Sequence, residues 1–288
     1  MSTIAYQTDA RDMASLCSSA AELSDDQFNA ISDFVKNSCG INLHDGKKEL
    51  VKARLNKRLR VLGLASFDQY INFLSSPGGA GEITLMLDAI STNLTFFFRE
   101  AKHLDFLRDT VLPGLADQRA NSRRLRIWSA GCSSGEEPYS IAVVMHEAMS
   151  NLAGWNAGIL ATDLSTRVLA RAKDGIYEAE RFREMPRELV GRYFHTCGEG
   201  YEVNDNLRRI VTFARLNLMH RWPMNGPFDV IFCRNVMIYF DKPTQSRLIE
   251  RFSDILCPGG YLFIGHSESL AGVQHQLSYV QPTVYQKA

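Results

Sequence analysis

The chain has 288 residues, a formal net charge of +0, 45% hydrophobic residues and six cysteines. This neutral balance argues against a general nucleic-acid binder, and no cysteine spacing matches a zinc site or a disulfide framework. No apolar run approaches the roughly 20 residues that span a bilayer, and the first 24 residues lack a signal-peptide core. We therefore expect a cytoplasmic protein with free thiols, no metal, no nucleic-acid partner and no insertion into the membrane.

The first 120 residues show helical patterns and no strand signal. Capping boxes, in which a Ser is followed three residues later by a Gln, begin two of the helices at Ser24 and Ser66. Apolar residues at helical spacing, with Gly40 and Gly63 as stops, define the others. The predicted helices cover 24–39, 46–62, a short stretch after 66, about 81–90, and 100–118.

After residue 121 apolar strands alternate with helical segments, which is typical of βαβ units in a mostly parallel, doubly wound sheet. The predicted strands are 125–130, 158–163, 210–217, 228–233, 261–267 and 283–288. Residues 175–209 are charged and Gly-rich, and they interrupt this alternation as an insertion. The predicted domains are a flexible N-terminus (1–22), a helical domain (23–91), a linker with one helix (92–120) and the sheet domain (121–288).

The run from Phe228 to Phe240 is the most informative stretch. It begins as a buried strand, FDVIFC, and places Arg234, Asn235 and Tyr239 just past its carboxyl end. Ligands of open α/β sheets bind beyond the carboxyl ends of the strands, so these polar side chains are candidates for binding or chemistry.

A second set of candidates follows the first two strands of the sheet domain. The loop 131–135, GCSSG, allows a ligand to approach the backbone ahead of a helix N-terminus, but it does not match GxGxxG. Asp163 ends the next strand, where an acid can accept hydrogen bonds from both ribose hydroxyls. Glu137 either complements the helix dipole or meets a cationic group of the ligand. Together these features favour a nucleoside ligand.

The same loop also matches the GxSxG pattern of a hydrolase nucleophile elbow. Ser133, then Asp163 or Asp229, then His266 would be in the chain order of that triad. Several strands precede the elbow in α/β-hydrolases, whereas about 120 helical residues precede it here. This topology disfavours the hydrolase interpretation.

Five separated blocks resemble the chemotaxis-receptor methyltransferase (CheR) family: TNLTFFFRE, SAGCSSGEEPYSIA, LATDLS, LNL and FDVIFCRNVMIYF. The resemblance implies an α/β protein. It would have an N-terminal all-α helical domain and a Rossmann-like S-adenosylmethionine-dependent methyltransferase domain that carries a small inserted β-subdomain. The implied activity is methylation of chemoreceptor glutamates, which yields glutamate methyl esters and S-adenosylhomocysteine. The implied partner is the cytoplasmic helical region of the receptors, joined in some family members by a C-terminal receptor peptide.

The resemblance also implies roles for individual residues. Arg99 and Tyr239 are the candidates for the catalytic centre. The implied cofactor-binding residues are Asn93, Thr95 and Arg99 from the linker, Glu137 and Asp163 from the first two strands, and Asn217, Leu218, Arg234 and Asn235 on the adenine side. Two other functions stay open: a methyltransferase with a different acceptor, and a non-catalytic S-adenosylmethionine-binding adaptor.

The predicted second helix is strongly basic. Residues 47–60 hold seven basic side chains against one acid, although the whole chain is neutral. We expect its apolar stripe to face the core and its basic residues to be either solvated or used to steer an acidic substrate.

Overall fold

A computed structural model describes residues 20–90, 94–149 and 151–288, which form two compact units. The first unit contains the chain up to Ile31 together with His44–Ile90, and the second contains Ser32–Leu43 together with Ser91–Ala288. Most of the predicted flexible segment 1–22 lies outside the described residues, as does Asn93.

The helices of the first unit begin and end within two residues of the predicted bounds. They are α1 (Asp25–Cys39), whose later residues belong to the second unit, α2 (Lys48–Leu62), α3 (Phe67–Leu74) and α4 (Ala80–Ile90). Both oxygens of the Ser24–Gln27 capping box are used: Gln27 N donates to Ser24 Oγ at 3.2 Å, and Ser24 N donates to Gln27 Oε1 at 3.0 Å.

A buried ion pair ties α2 to α4. Arg58 donates two hydrogen bonds to Glu82, of 2.9 and 2.6 Å, and Tyr70 Oη adds a third of 2.8 Å. Glu82 is buried, so removing the Arg58 guanidinium would leave a charge without its partner. Arg58 therefore has a structural role within the first unit.

The second unit is built on a seven-stranded sheet. Its strands are β1 (Arg124–Ala130), β2 (Asn156–Asp163), β6 (Val211–Arg215), β7 (Phe228–Cys233), β8 (Leu256–Ile264), β9 (Leu277–Gln281) and β10 (Val284–Lys287). They lie in the order β6-β2-β1-β7-β8-β10-β9, in which β1, β2, β6, β7 and β8 are parallel and β10 and β9 add antiparallel pairs at one edge. The predicted mostly parallel sheet is confirmed.

Helices and a second sheet complete this unit. The helices are α5 (Ala101–Phe106), a π-helical turn (Leu107–Val111), α6 (Leu112–Gln118), α7 (Glu136–Ala148), α8 (Thr166–Asp174), α9 (Arg187–Tyr193), α10 (Asp205–Arg208) and α11 (Lys242–Ile255). The predicted insertion forms a small antiparallel sheet in the order β3-β5-β4, from β3 (Ile176–Glu178), β4 (Phe194–Cys197) and β5 (Gly200–Val203).

Successive residues of the central strands point to opposite faces of the sheet and fill two cores. Ile127 and Phe232 belong to the core that includes α7 and the insertion, whereas Trp128 and Ile231 belong to the core that includes α11. In the part of the chain that the structure describes, no helix has both the length and the apolar composition needed to span a bilayer.

Candidate active site

The carboxyl ends of the parallel strands meet at one edge of the large sheet. Ala130 of β1 pairs with Thr162 of β2, and Cys233 of β7 pairs with Ile264 of β8. The loops that follow these strands therefore emerge side by side, where open α/β sheets bind their ligands.

The loop after β1 is folded tightly over the end of β2. Gly131 and Gly135 have φ values of 87° and 98°, which favour glycine. A Cβ added to Gly131 would lie 2.4 Å from Val236 Cγ2, so a larger residue does not fit. The amides of Gly131 and Cys132 both donate to the Thr162 carbonyl, at 2.8 and 2.9 Å. The loop is thus held by backbone contacts and brings its main chain close to Asp163.

Asp163 is oriented by two backbone amides. Ser133 N donates to Oδ2 at 2.8 Å and Ser165 N donates to Oδ1 at 2.9 Å, while the side chain is only half-buried. A carboxylate oxygen can accept more than one hydrogen bond. The local fold therefore fixes the carboxylate while leaving it chemically suited to accept from a pair of hydroxyl groups.

Two of the predicted binding residues, Glu137 and Arg234, pair with each other. Arg234 Nε donates to Glu137 Oε2 at 2.7 Å, and Ser129 Oγ donates to Glu137 Oε1 at 2.7 Å. The Arg234 residue is only 7% exposed, and its Nη1 donates to the Arg99 carbonyl at 2.9 Å. Arg234 therefore links the end of β7 to the start of α7 and to the linker.

Glu100, next to Arg99, is the linker's main anchor on this network. Its Oε2 lies 3.5 Å from Arg234 Nη1, and its Oε1 accepts from His266 N at 3.2 Å and from Asn235 Nδ2 at 3.4 Å. Burial alone would raise the pKa of Glu100, but the contact with His103, the Arg234 charge and the His266 amide lower it to about 2.

The buried His103 completes the cluster. Arg234 Nη1 lies 3.3 Å from Nδ1, and Thr283 Oγ1 lies 2.7 Å from Nε2 and donates to the Pro282 carbonyl. Nδ1 also lies 3.3 Å from Glu100 Oε2, and burial lowers the pKa of His103. Glu100, His103 and His266 are close enough to suggest a metal site. The Arg234 guanidinium occupies that neighbourhood with positive charge, so we interpret the cluster as an anchor of the linker.

Four residues at this edge hold left-handed backbone conformations although none is glycine. They are Phe98, Glu100, Ser133 and Asn235, with φ values of 60°, 57°, 50° and 59°. Such conformations cost roughly 1–3 kcal/mol each and persist where surrounding contacts determine them. Their concentration at the carboxyl edge of the sheet is typical of a functional site.

The linker ahead of Arg99 is fixed by its aromatic side chains. Phe97 is fully buried, stacks on Phe182 with ring centroids 4.4 Å apart, and meets Tyr177 edge-on at 4.9 Å. The buried Thr95 accepts a 2.7 Å hydrogen bond from Arg181 through its carbonyl oxygen. The insertion therefore holds the linker in place at the edge of the site.

The other predicted site residues that the structure describes differ in burial and in hydrogen-bond partners. Arg99 is half-buried and donates to the Leu94 carbonyl at 2.8 Å, and Tyr239 is half-buried in a 3₁₀ turn. Asn217 donates to the Ser38 carbonyl at 2.7 Å, and Leu218 is buried in the core that includes α11. Leu216 N donates to the Asp163 carbonyl at 2.9 Å, which keeps this segment at the same edge.

Sequence reasoning gave no role to Glu100, His103 or Glu268. Glu268 is buried and accepts from the amides of Gly265, Asn235 and Ile238 at 2.5, 3.0 and 3.1 Å. Burial raises its pKa, although the backbone amides act in the opposite direction. Glu100 stands beside Arg99 in the quoted linker block, whereas nothing in the local sequence of Glu268 marks it.

The contacts of Ser133, Asp163, Asp229 and His266 do not form a hydrolase triad. Asp163 accepts from the Ser133 amide, and Asp229 bonds Arg119 Nε and the Arg126 amide at 3.2 and 2.8 Å near the start of β7. The His266 ring packs edge-on against His103, with centroids 4.7 Å apart.

Two family models together match nearly all of the described chain. Residues 26–91 match the CheR methyltransferase all-alpha domain, and residues 93–286 match the CheR methyltransferase SAM binding domain. The chain belongs to the CheR methyltransferase family. The family assignment confirms the predicted helical domain plus methyltransferase domain, and it makes the protein an S-adenosylmethionine-dependent methyltransferase.

Named relatives agree with this assignment. A chemotaxis protein methyltransferase of Borreliella burgdorferi is 43% identical, covering 91% of this chain and 94% of the relative. One from Escherichia coli is 40% identical, covering 91% of each. A solved S-adenosylmethionine-dependent methyltransferase from Mesorhizobium loti covers 49% of this chain and 45% of its own, at 21% identity and a TM-score of 0.30.

Proposed function

We propose that this protein methylates glutamate side chains in the cytoplasmic helical region of chemoreceptors. The products would be glutamate 5-O-methyl esters and S-adenosylhomocysteine, and the modification would serve adaptation in chemotaxis. The observation that carries the proposal is the family match over 26–91 and 93–286 together with the linker, Asp163 and Arg234 meeting at one edge of the sheet.

The residues at this edge fit S-adenosylmethionine by the chemistry of their donors and acceptors. The oriented Asp163 carboxylate suits the two ribose hydroxyls. Glu137 would meet the cationic amino-acid end of the cofactor, with its carboxylate oriented by Ser129 and Arg234. We assign Asn217, Leu218 and Asn235 to the adenine side, and Asn93, Thr95 and Arg99 to closure by the linker. Arg234, which bonds Glu137, would lie with it at the amino-acid end.

The proposed reaction needs orientation more than proton transfer. A glutamate carboxylate has a reference pKa of about 4.3, so it is ionised at neutral pH and needs no general base. The cofactor supplies a methyl group on a positively charged sulfur, which is already activated for transfer. The protein must hold the carboxylate oxygen in line at roughly 3–3.5 Å from the methyl carbon and exclude water.

Arg99 and Tyr239 are the residues we assign to that task. The half-buried Arg99 side chain can attract a carboxylate, either that of the substrate or that of the cofactor. The Tyr239 hydroxyl would donate one hydrogen bond to a substrate oxygen and so orient the other oxygen for attack. Neither residue is required to take up or release a proton.

The basic helix α2 contributes fewer accessible charges than its sequence indicates. Arg58 forms an ion pair with Glu82. Lys48 pairs with Asp25 at 2.5 Å, and Lys52 pairs with Glu22 at 2.6 Å. Lys57 and Arg60 are exposed. We therefore assign electrostatic steering of an acidic receptor helix to Lys57 and Arg60, and a structural role to Arg58.

Transfer of a radiolabelled methyl group to receptor-containing membranes tests the proposal. The expected result is label in the receptor band, at a rate roughly 10- to 1,000-fold lower with Tyr239→Phe, and no label when the protein is omitted. Label in a different protein would indicate a methyltransferase with another acceptor. Cofactor binding without transfer to any protein would indicate a non-catalytic adaptor.

A further inference from the structure

An open cleft of roughly 870 Å³ runs along α11, beside the segment that carries Asn217 and Leu218. One wall is the face of α11 from Thr244 to Ile255, and the other includes the end of α1 and the loop 219–224. At 1.5 Å per residue this face of the helix is about 16 Å long. None of the residues assigned to catalysis or cofactor binding lines the cleft.

The cleft has a cationic lining in a chain of zero net charge. Four basic side chains, Lys36, Arg221, Arg247 and Arg251, face it together with two acids, Asp241 and Asp254. An excess of positive charge in a concave surface raises the local potential and attracts partners of opposite sign.

Two of the four basic side chains have partners within the protein. Lys36 pairs with Asp241 at 3.0 Å. Arg251 donates to the carbonyls of Leu218 and His220, at 2.5 Å each, and its guanidinium lies 3.9 Å above the Trp222 ring. These contacts make Arg251 a rigid part of the floor of the cleft.

Arg221 and Arg247 remain for a partner. Both are exposed, and Arg247 donates a 3.1 Å hydrogen bond to Thr244 on its own helix. Arg247 and Arg251 are four residues apart on α11, so they stand on the same face one turn apart. Carboxylates spaced by four residues on another helix repeat at the same interval.

We propose that this cleft docks an acidic helical segment of the chemoreceptor, apart from the glutamate that is methylated. Its length and openness suit a helix lying along α11, and its charge suits clustered glutamates. The inference rests on the proposed function for the identity of the partner. A second contact of this kind would raise receptor affinity without changing the chemical step.

Binding of an acidic helical peptide to the cleft can be measured without any methyl transfer. The probe is a fluorescein-labelled, alanine-rich helical peptide of about 20 residues with glutamates four apart, and a glutamine version is the control peptide. Fluorescence anisotropy on the full chain should show binding of the glutamate peptide only. Arg221→Glu/Arg247→Glu should weaken it by roughly tenfold or more.

A matched control distinguishes the effect of charge in the cleft from the effect of the protein's net charge. Lys173→Glu/Arg209→Glu makes the same charge change at exposed positions on α8 and beside α10. This control should leave peptide affinity within roughly twofold of wild type. With receptor membranes, Arg221→Glu/Arg247→Glu should raise the KM for receptor and leave both kcat and S-adenosylhomocysteine affinity unchanged.

Three results would overturn the proposal. The first is equal peptide affinity in Arg221→Glu/Arg247→Glu and in the control Lys173→Glu/Arg209→Glu. The second is loss of binding only in Lys57→Glu/Arg60→Glu, and the third is saturable displacement of the peptide by micromolar inorganic pyrophosphate. The last would assign the cleft to a small phosphate-bearing molecule. Failure of the wild-type protein to methylate receptors would instead contradict the proposed function and leave the peptide result standing.

Discussion

At the scale of single residues, Asp163 is the most direct test of cofactor recognition. In Asp163→Asn one carboxylate oxygen becomes an NH₂ group, which cannot accept from an amide or a hydroxyl. We expect S-adenosylhomocysteine to bind with a loss of roughly 1–3 kcal/mol, measured by calorimetry. Asp174→Asn, at the end of α8, is the matched control. Unchanged affinity in Asp163→Asn would remove the ribose assignment.

Replacing Tyr239 tests the methyl-transfer step separately from cofactor binding. Tyr239→Phe keeps the ring and loses the hydroxyl that we assign to the substrate carboxylate. We expect cofactor affinity to be retained while kcat for methyl transfer falls by roughly 10- to 1,000-fold. Turnover at the wild-type rate would take this hydroxyl out of the mechanism.

At the scale of elements, the linker depends on one aromatic side chain. Phe97 is fully buried against the insertion, whereas its neighbour Phe96 is half-buried with the Arg183 guanidinium 4.2 Å above its ring. We expect Phe97→Ala to lower the free energy of unfolding by roughly 3–5 kcal/mol. Phe96→Ala should cost about 1 kcal/mol, as measured by chemical denaturation. Equal losses would show that the packing of Phe97 does not hold the linker.

The elements that the sequence predicts well are those with strong local patterns. The run at Phe228–Cys233 is apolar except for Asp229 and is observed with the predicted bounds, because a strand buried on both faces needs no polar alternation. Strand β9 (Leu277–Gln281) was not predicted. It is an edge strand with Ser278, Tyr279 and Val280 all exposed, so it lacks an apolar run.

The contacts of the site were less predictable than its elements. The blocks around Asp163 and Arg234 could be placed at strand ends from the sequence alone, and the block around Arg99 could be placed in the linker. The contact between Arg234 and Glu100 joins residues 134 positions apart, and no local pattern encodes it. Glu268 was missed for the same reason, because its partners are backbone amides that any residue could supply.

At the scale of the whole molecule, charge placement matters more than net charge. Lys57 and Arg60 are exposed on α2, whereas Arg58 is required by Glu82. We expect Lys57→Glu/Arg60→Glu to lower receptor methylation at low salt and to flatten its salt dependence, because exposed charges are screened over roughly 8–10 Å at physiological salt. Cofactor affinity is the internal control.

A second variant, Arg58→Ala, sharpens this test. Arg58→Ala should destabilise the first unit by roughly 3 kcal/mol, since it leaves a buried Glu82 unpaired. Wild-type receptor methylation by Lys57→Glu/Arg60→Glu at low salt would show that the exposed face of α2 is only a solvated surface.

The measurement that tests the central claim most directly is the chemical identity of the methylated group. Receptor membranes would be incubated with the protein and S-adenosylmethionine, digested, and analysed by mass spectrometry before and after mild alkali. The account predicts peptides whose glutamates carry one added methyl group, which alkali removes as methanol because an ester hydrolyses in base. An alkali-stable methyl group on lysine, arginine or another side chain would contradict it.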